Sequence, residues 1–412
     1  MSDTSGGSAN ESDEKAAGPL RGVRVLDIAT MLGAGHCTSL LADFGAEVIH
    51  VELPGRGDSL RGMGPFKNKI SLRWAVVGRG KKSITVDMRT ERGQKLIQKL
   101  IATVDVVVEN YRPGTIAKWG LGFEDLKRLN PNIVLLSLSG YGQTGPKSHL
   151  PGFGRVIEAA SGWMNQTGEA DGPPMQMGVP AVDYIAGTFG AMAISMALFD
   201  KVAHAGKGQW IDLSLYESVV RLLDSLITRY GVLGDVPHRM GNRYLNVAPS
   251  DVYRTRDGRY VFHSSATQTV YERLMAAIGR PDLITDAKYS TNTSRTSPGG
   301  DVNDIVQAWF DKHDLVDVLR IMDENDVPCS PVNTMEEVAA DEQLLGRESL
   351  VSLPFAGVGD VLMPGLVPKF SGTPGAIRHA GPTIGEHTRE VLSASLGLNA
   401  TELDDLARNG II

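Results

Sequence analysis

The sequence predicts a doubly wound α/β fold with a smaller α+β domain, and three observations support this. Short apolar runs alternate with amphipathic helical stretches over the first ~220 residues, which is typical of a parallel sheet covered on both faces. The pattern changes after about residue 235, where a strand–turn–strand signal precedes three helical stretches. At 412 residues the chain is too long for one ordinary core, so we expect two domains.

The strands and helices of the larger domain can be assigned from these patterns. The β-rich run "GVRVLDIA" at 22–29 precedes the helical stretch "GHCTSLLADFG", and "EVIHVE" at 47–52 is the next strand. Amphipathic spacing predicts helices over 91–104 and 123–130. The remaining strand signals are "KSITVDM", "DVVVEN", "NIVLLSLSG" and "QWIDLSL", at 82–88, 105–110, 132–140 and 209–215.

The later part of the chain carries a different pattern. "DVYRTRDGRYVFHSS" predicts a hairpin that turns at Asp257–Gly258. Helical stretches follow at roughly 269–278, 301–312 and 314–325. We place the domains at 19–230 (large α/β), 231–335 (small α+β) and 336–412 (C-terminal segment), after a polar tail at 1–18 that is predicted to be disordered.

Composition excludes several classes of protein. A net charge of −7 and a pI near 5.8 argue against a partner that is nucleic acid or an anionic membrane. Cys37 and Cys329 are the only cysteines, which is too few for a disulfide framework and favours a reducing cytoplasm. The histidines and cysteines show no metal-ligand spacing, so we expect no metal site.

The segment "VPAVDYIAGTFGAMAISMALFD" at 179–200 is nearly all apolar or small, yet it carries Asp183 near its start. Its length would allow a membrane span, but its Ala, Gly and Ser content favours a buried core helix. Pro180 places Asp183 in or just before the first helical turn, where the helix dipole favours an ionised carboxylate. From local sequence alone, a plain N-cap remains an alternative to a functional carboxylate.

Two weaker patterns surround this segment. Gly33 and Gly35, with Glu52 ending the next strand, partly match a dinucleotide-binding fingerprint, but Thr38 replaces its third glycine. A glycine-containing loop that packs against a neighbour is the simpler interpretation. A basic and polar series follows the strands, where open α/β sheets bind ligands, and it fits either an anionic nucleotide-like ligand or ordinary surface charge. The series is Arg61, Lys81, Lys82, Arg89, Asn110, Arg112 and Lys118.

From Pro19 to Ile412 the chain resembles the family III CoA-transferases, the CaiB/BaiF family that includes formyl-CoA:oxalate and carnitine CoA-transferases. The resemblance rests on "LRGVRVLDIA…LLADFGAEVIHVE", "GDSLRG", "KKSITVDMRTERG", "VENYRPGTIAKWGL", "LNPNIVLLSLSGYGQTGP", "GKGQWIDLSLYES", "DVPCSPVNTMEEV" and "IGEHTREVL". It implies a Rossmann-like large domain built from both chain ends. It also implies a homodimer in which two chains interlace like linked rings.

The resemblance also assigns chemistry to residues. Asp183 stands where the family has its covalent nucleophile, which carries CoA as an aspartyl thioester. Coenzyme A and acyl-CoA are then substrates, and no permanently bound cofactor is expected. The positions that match the family's CoA contacts are Arg61, Val86, Arg89, Asn110, Arg112 and Lys118.

Departures from the family pattern bear on the substrate. Leu32 and Leu53 replace a glutamine and an arginine of the formyl-CoA enzymes, so formyl-CoA and oxalate are not expected as substrates. Arg239 and Arg243, in the loop that replaces the glycine-rich lid of those enzymes, suggest a second carboxylate on donor or acceptor. Succinyl-CoA with a dicarboxylate acceptor would fit.

Two alternatives remain from the sequence. The related α-methylacyl-CoA racemases use a histidine in the "PG" loop, where this chain has Phe153 and Gly154, and a glutamate at the position of Thr267. Racemisation needs two acid/base groups, so both replacements argue against it. An inactive, non-catalytic subunit of a heteromeric transferase would have the same sequence features.

Overall fold

The computed structural model describes residues 18–244, 246–297 and 301–412. The predicted tail at 1–18 therefore lies outside the described residues, apart from Gly18. The described chain folds into two compact units. Unit 1 comprises the described residues up to Trp163 together with Met177–Ser225 and Gln343–Ile412, and unit 2 comprises Met164–Gln176 and Leu226–Glu342. The domain boundaries predicted from the sequence, at 230/231 and 335/336, stay predictions.

The strands are β1 Arg24–Asp27, β2 Glu47–Glu52, β3 Phe66–Lys67, β4 Ile70–Ser71, β5 Lys81–Thr85, β6 Val106–Glu109, β7 Val134–Ser139, β8 Trp210–Ser214, β9 Ser250–Arg254, β10 Tyr260–Ser264, β11 Cys329–Pro331, β12 Leu350–Phe355 and β13 Gly359–Pro364.

The α-helices are α1 Leu32–Asp43, α2 Leu72–Val77, α3 Glu91–Ile101, α4 Thr115–Lys118, α5 Phe123–Leu129, α6 Gly154–Ala160, α7 Trp163–Gln166, α8 Ala181–Ala203, α9 Leu215–Val220, α10 Leu226–Leu233, α11 Gln268–Ala277, α12 Asp282–Thr285, α13 Asn292–Thr296, α14 Val302–Phe310, α15 Leu315–Glu324, α16 Met335–Ala339, α17 Glu342–Gly346, α18 Thr388–Leu396 and α19 Ala400–Arg408.

Unit 1 is built on a six-stranded parallel sheet of order β5-β2-β1-β6-β7-β8. Both faces are covered, as the near-continuous apolar strands predicted. One face packs against α1 and α8 through residues such as Cys37, Leu41 and Ile194. The other packs against α3 and α5 and also against the C-terminal α18 and α19, so both ends of the described chain contribute to this core.

Unit 2 has its own antiparallel sheet of order β11-β10-β9. The predicted hairpin forms, with Tyr260 opposite Arg254 and Gly258 at a φ of +79° in the turn. The three predicted helices correspond to α11, α14 and α15, and they pack with the hairpin around buried residues such as Tyr253, Tyr271 and Phe310. Tyr253 and Phe310 stack with their ring centroids 4.9 Å apart.

Helix α8 is long and apolar enough to cross a membrane by length and composition, and no other helix in the described residues meets that test. A buried helix of a globular core meets the same test. Its side chains Ile194 and Ala197 lie in the core beneath the sheet, but Met196, Phe199 and Val202 are exposed, so the predicted buried core helix is only partly buried. The N-cap interpretation of Asp183 is wrong, because the helix begins after Pro180 and Asp183 is its third residue.

Candidate active site

Asp183 is positioned by a close crossing of α8 and α1. A Cβ atom on Gly187 would lie 2.5 Å from the carbonyl oxygen of Gly33 and 3.1 Å from the amide nitrogen of Cys37. The two backbones can approach this closely only because glycine has no side chain. The small-residue segment of the sequence thus brings the first turn of α8 directly against the first turn of α1.

The carboxylate of Asp183 lies between two glycines at the starts of other helices. A Cβ atom on Gly154, the first residue of α6, would overlap Oδ2 of Asp183 and lie 3.0 Å from its Cγ. A Cβ atom on Gly33 would lie 3.6 Å from Oδ1. Asp183 lies in the first turn of α8 and beside the start of α1, so the positive dipole ends of both helices are near this carboxylate.

Burial and two arginines set the charge state of Asp183. The side chain is only partly exposed, and burial raises its pKa to about 6, while Arg155 and Arg73 act to lower that pKa. No ion pair to Asp183 occurs within the part of the chain that the structure describes. At neutral pH the group is therefore mainly an ionised carboxylate without a bound counter-ion, which can act as a nucleophile.

Arg155 closes a small hydrogen-bonded ring beside this carboxylate. Its Nη1 donates to Oε2 of Glu158 at 2.9 Å and to the carbonyl oxygen of Met177 at 2.7 Å. The N–H of Met177 donates in turn to Oε1 of Glu158 at 2.7 Å. Since Glu158 is 1% exposed, the ring firmly holds the backbone of Met177, six residues before Asp183, against α6.

Tyr184 and His36 pack beside Asp183. Their rings meet edge to face, with centroids 4.8 Å apart. Burial, together with the nearby charges of Arg79 and Lys81, lowers the pKa of His36 to about 4, so this imidazole is neutral at physiological pH. It contributes a neutral ring to the site rather than a positive charge.

A buried network of charged side chains supports the start of α1. Met31, which precedes the helix, has a φ of +70°, and its N–H donates to the Asp58 carboxylate at 3.2 Å. The His50 ring lies between that carboxylate, at 3.3 Å from Nε2, and Asp27, at 3.0 Å from Nδ1. Lys81 is fully buried and donates to Asp27, so this member of the basic series does not face a ligand.

A separate cavity of about 660 Å³ lies at the carboxyl ends of β2 and β5. It brings together two of the predicted CoA contacts, Val86 and Arg89. Tyr111 and Trp119 form an aromatic wall, with their ring centroids 5.0 Å apart. Arg56 adds a further exposed guanidinium, whereas Arg89 is paired with Asp87 at 2.8 Å. The cavity therefore combines aromatic surface with charges of both signs, because Glu52, Asp58 and Asp87 also line it.

The other predicted CoA contacts have different surroundings. Arg61 is bound to Glu52 at 2.6 and 2.7 Å and stacks on Trp74 at 4.0 Å. The side chain of Asn110 bridges both backbone groups of Thr30. Arg112 lines a different cavity of about 410 Å³, and Lys118 is exposed on α4.

Arg239 and Arg243 both lie in unit 2, and both are engaged there. Arg239 donates to the carbonyl oxygens of Asn165, Glu169 and Gly172. Arg243 pairs with Asp251 at 3.0 Å. Their proposed contact with a substrate carboxylate stays a prediction.

The described residues contain no group of three or more His, Cys, Asp or Glu side chains that could hold a metal ion. The racemase positions also lack acid/base groups. Phe153 is 69% exposed before α6, and Thr267 caps α11 by accepting the N–H of Val270.

Comparison with known proteins decides the family. The family model described as CoA-transferase family III matches residues 20–388. The chain belongs to CoA-transferase family III. A "Succinyl-CoA–D-citramalate CoA-transferase" of Chloroflexus aurantiacus is 39% identical over 402 residues, covering 97% of this chain and 100% of that protein. The beta subunit of a "Succinyl-CoA–L-malate CoA-transferase" from the same organism is 39% identical over 398 residues, covering 96% and 98%.

A solved structure supports the same assignment. A CaiB/BaiF family protein of Brucella suis superposes with a TM-score of 0.81 at 31% identity, covering 92% of this chain and 100% of that one. The mixed α/β fold with a central parallel sheet predicted from the sequence is therefore confirmed. The interlaced dimer stays a prediction.

In this family III CoA-transferase, sequence reasoning singled out Asp183 but missed three neighbours. Gly154 and Arg155 stand in "PGFGRVIEAASG", a segment noted only for its missing histidine. Arg73 precedes a buried Trp74 in a short helix that carried no motif. An arginine inside an otherwise apolar helical run was the one available signal for Arg73.

Proposed function

We propose that this enzyme transfers CoA from an acyl-CoA donor to a carboxylic acid acceptor through an aspartyl-CoA thioester on Asp183. The observation that supports this most is the carboxylate of Asp183, which lies beside the first turns of two long helices without an ion-pair partner among the described residues. Such a group can attack a carbonyl carbon and later be displaced from one.

The proposed reaction has balanced steps. An ionised oxygen of Asp183 attacks the donor thioester carbonyl, and the C–S bond breaks to give a mixed anhydride and CoA thiolate. The thiolate attacks the aspartyl carbonyl of the anhydride, which releases the donor acid as a carboxylate. The acceptor carboxylate then attacks the carbonyl of the aspartyl thioester, and the C–S bond breaks to give a second mixed anhydride and CoA thiolate. The thiolate attacks the acceptor carbonyl of that anhydride, which releases the Asp183 carboxylate and the acceptor as its CoA thioester. No net proton is gained or lost.

The surroundings of Asp183 suit this sequence. Each attack places negative charge on a carbonyl oxygen, and fixed backbone N–H groups at a helix start stabilise such charge without reorganisation. Arg155, next to Gly154, is paired with Glu158 but still acts to lower the pKa of Asp183, so it favours negative charge at this position. Limited exposure of Asp183 restricts water, which would hydrolyse either intermediate.

The cavity of about 660 Å³ is the proposed site of the CoA nucleotide. Tyr111 and Trp119 offer aromatic surface for the adenine, and Arg56 offers positive charge for the phosphates. Arg89 would have to exchange its contact with Asp87 for a phosphate. The cavity residues Val86 and Arg89 are the best supported of the predicted contacts. Arg61, Asn110, Arg112 and Lys118 stay predictions as CoA contacts.

The relatives favour succinyl-CoA as donor and a dicarboxylic acid as acceptor. Both relatives named above carry succinyl-CoA in their names, and their acceptors, citramalate and malate, are dicarboxylic acids. We extend that substrate class to this chain.

We further propose a cytoplasmic homodimer. Helix α8 exposes an apolar stripe with helical spacing, and the large exposed fractions of its side chains are typical of an interface. The stripe is Met192, Met196, Phe199 and Val202. Because one relative is named as a beta subunit, a heteromer with a non-identical chain is the alternative. Light scattering of the purified chain, combined with activity assays of the same sample, distinguishes an active homodimer from a chain that needs a second subunit.

The proposal is tested by intact mass spectrometry after brief incubation with succinyl-CoA and no acceptor. We expect an adduct of CoA mass on the wild type and none on Asp183→Ala. Absence of an adduct on active wild-type enzyme would contradict a covalent intermediate. Exchange of the α-proton of an acyl-CoA in deuterated water, without transfer, would instead support the racemase alternative.

A further inference from the structure

The charges around Asp183 are not balanced by the protein alone. Arg155 is paired with the buried Glu158, so that positive charge is compensated. Arg73 forms no ion pair with any residue that the structure describes. Its one described bond runs from Nε to the carbonyl oxygen of Gly64, at 3.3 Å. The remaining donors of this guanidinium are available to a ligand.

Arg73 is held near Asp183 by packing. It lies on α2 between Leu72 and Trp74, and both of these neighbours belong to an apolar cluster. Tyr184, the residue after Asp183, and Leu32, the first residue of α1, pack in the same cluster. The electrostatic effect of Arg73 reaches both Asp183 and Tyr184. Arg73 is itself only partly exposed, and an unpaired guanidinium in such a place favours an anionic partner.

The covalent reaction changes this charge balance. In the free enzyme the ionised Asp183 partly offsets Arg73. That negative charge disappears when Asp183 becomes an anhydride or a thioester, and Arg73 is then left without compensation. A second carboxylate on the acyl group restores the balance in each mixed anhydride, whereas a neutral acyl chain does not.

We propose that Arg73 binds the distal carboxylate of the dicarboxylic acyl group and thereby selects dicarboxylic over monocarboxylic substrates. This inference rests on the proposed function and names the residue that sets its substrate class. It differs from the sequence-based hypothesis for Arg239 and Arg243, whose guanidinium groups are already occupied within unit 2.

The test measures the rate of CoA adduct formation with succinyl-CoA and with butyryl-CoA, which lacks the second carboxylate. The variants are Arg73→Gln, Arg73→Lys and a control, Arg92→Gln, which removes an exposed arginine that pairs with Asp405. Loss of a charged contact to a carboxylate should lower the succinyl-to-butyryl rate ratio about 10- to 100-fold in Arg73→Gln, because such contacts contribute ~1.5–3 kcal/mol. Arg73→Lys should recover part of the ratio, and Arg92→Gln should keep it.

The outcomes separate this inference from the function on which it depends. The inference would be overturned if Arg73→Gln lost rate equally with both donors. It would also be overturned if the succinyl-to-butyryl rate ratio fell in Arg239→Gln or Arg243→Gln while it stayed unchanged in Arg73→Gln. Absence of any adduct on the wild type would overturn the proposed function itself. If butyryl-CoA gives no measurable rate on the wild type, the aspartyl-CoA adducts of the wild type and the variants are formed first and then treated with succinate or butyrate as acceptor. The ratio of the two rates at which the adduct disappears then replaces the donor ratio.

Discussion

Oδ2 of Asp183 occupies the space that a side chain on Gly154 would need. Asp183 is the third residue of the long helix α8, and Gly154, which is 29 residues earlier in the sequence, is the first residue of the short helix α6. Their contact is what converts an acidic residue near a helix start into a group with a fixed position.

Gly154→Ala should lower transferase activity by about 100-fold or more, because displacing a reacting group by ~1 Å has effects of this size. The new methyl group overlaps the carboxylate, which must move away from its position. Steady-state kinetics measures the loss. Gly178→Ala is the matched control, since a Cβ atom there meets nothing within 4 Å and the position does not require a positive φ. Equal activity of the two variants would contradict the proposed role of the contact.

The kcat/KM of the wild type should fall as the pH drops below about 6. Burial raises the pKa of Asp183 to about 6, and the protonated acid is not a nucleophile. We expect kcat/KM to decrease by nearly tenfold per pH unit below this pKa. Circular dichroism at each pH checks that the enzyme is still folded. A profile that stays flat down to about pH 5 would show that Asp183 does not titrate in this way or is not the nucleophile.

Asp183→Asn should stabilise the fold at neutral pH while abolishing transfer. The pKa of Asp183 is raised from 3.8 to about 6, so the ionised form costs the folded state free energy above pH 6, and that cost disappears below 3.8. The asparagine removes the cost, which we put at about 3 kcal/mol. Thermal unfolding at about pH 7.5 should show a higher midpoint for the variant, and the difference should shrink toward pH 4. A destabilised variant at pH 7.5 would contradict this.

His50 should stabilise the fold below about pH 6.5 and lose that effect as the pH rises through about 9. Its pKa is raised to about 9 by Asp27 first and by Asp58, against the opposing effect of burial, so the protonated ring is favoured in the folded state. His50→Gln should therefore be less stable than the wild type by about 1–3 kcal/mol at pH 6.5. The difference between the thermal midpoints should narrow by about pH 9.5. A difference independent of pH would mean that the ring acts through packing alone.

Much of the fold could be predicted because it depends on local patterns. The strand predicted at 47–52 is observed at Glu47–Glu52, and the helices predicted over 91–104 and 123–130 are observed at Glu91–Ile101 and Phe123–Leu129. Apolar periodicity and turn chemistry act within a few residues, so a single sequence records them.

The candidate site could be predicted only in part because its contacts are not local. The contact between Asp183 and Gly154 and the ring through Arg155 join segments that only the tertiary fold brings together. Charge patterns were misleading for a related reason. Lys81 and Arg61 resemble ligand-binding residues in sequence, but both satisfy buried carboxylates, Asp27 and Glu52.

The most direct test of the covalent mechanism follows an oxygen atom. The aspartyl-CoA adduct is formed with succinyl-CoA, freed of excess donor and then treated with a dicarboxylate acceptor labelled with ¹⁸O in both carboxylates. Attack of the acceptor on the thioester, followed by thiolate attack on the acceptor carbonyl, leaves one labelled oxygen on Asp183. We predict a peptide containing Asp183 that is heavier by one ¹⁸O-for-¹⁶O exchange. An unlabelled peptide, together with full formation of the product thioester, would contradict transfer through Asp183.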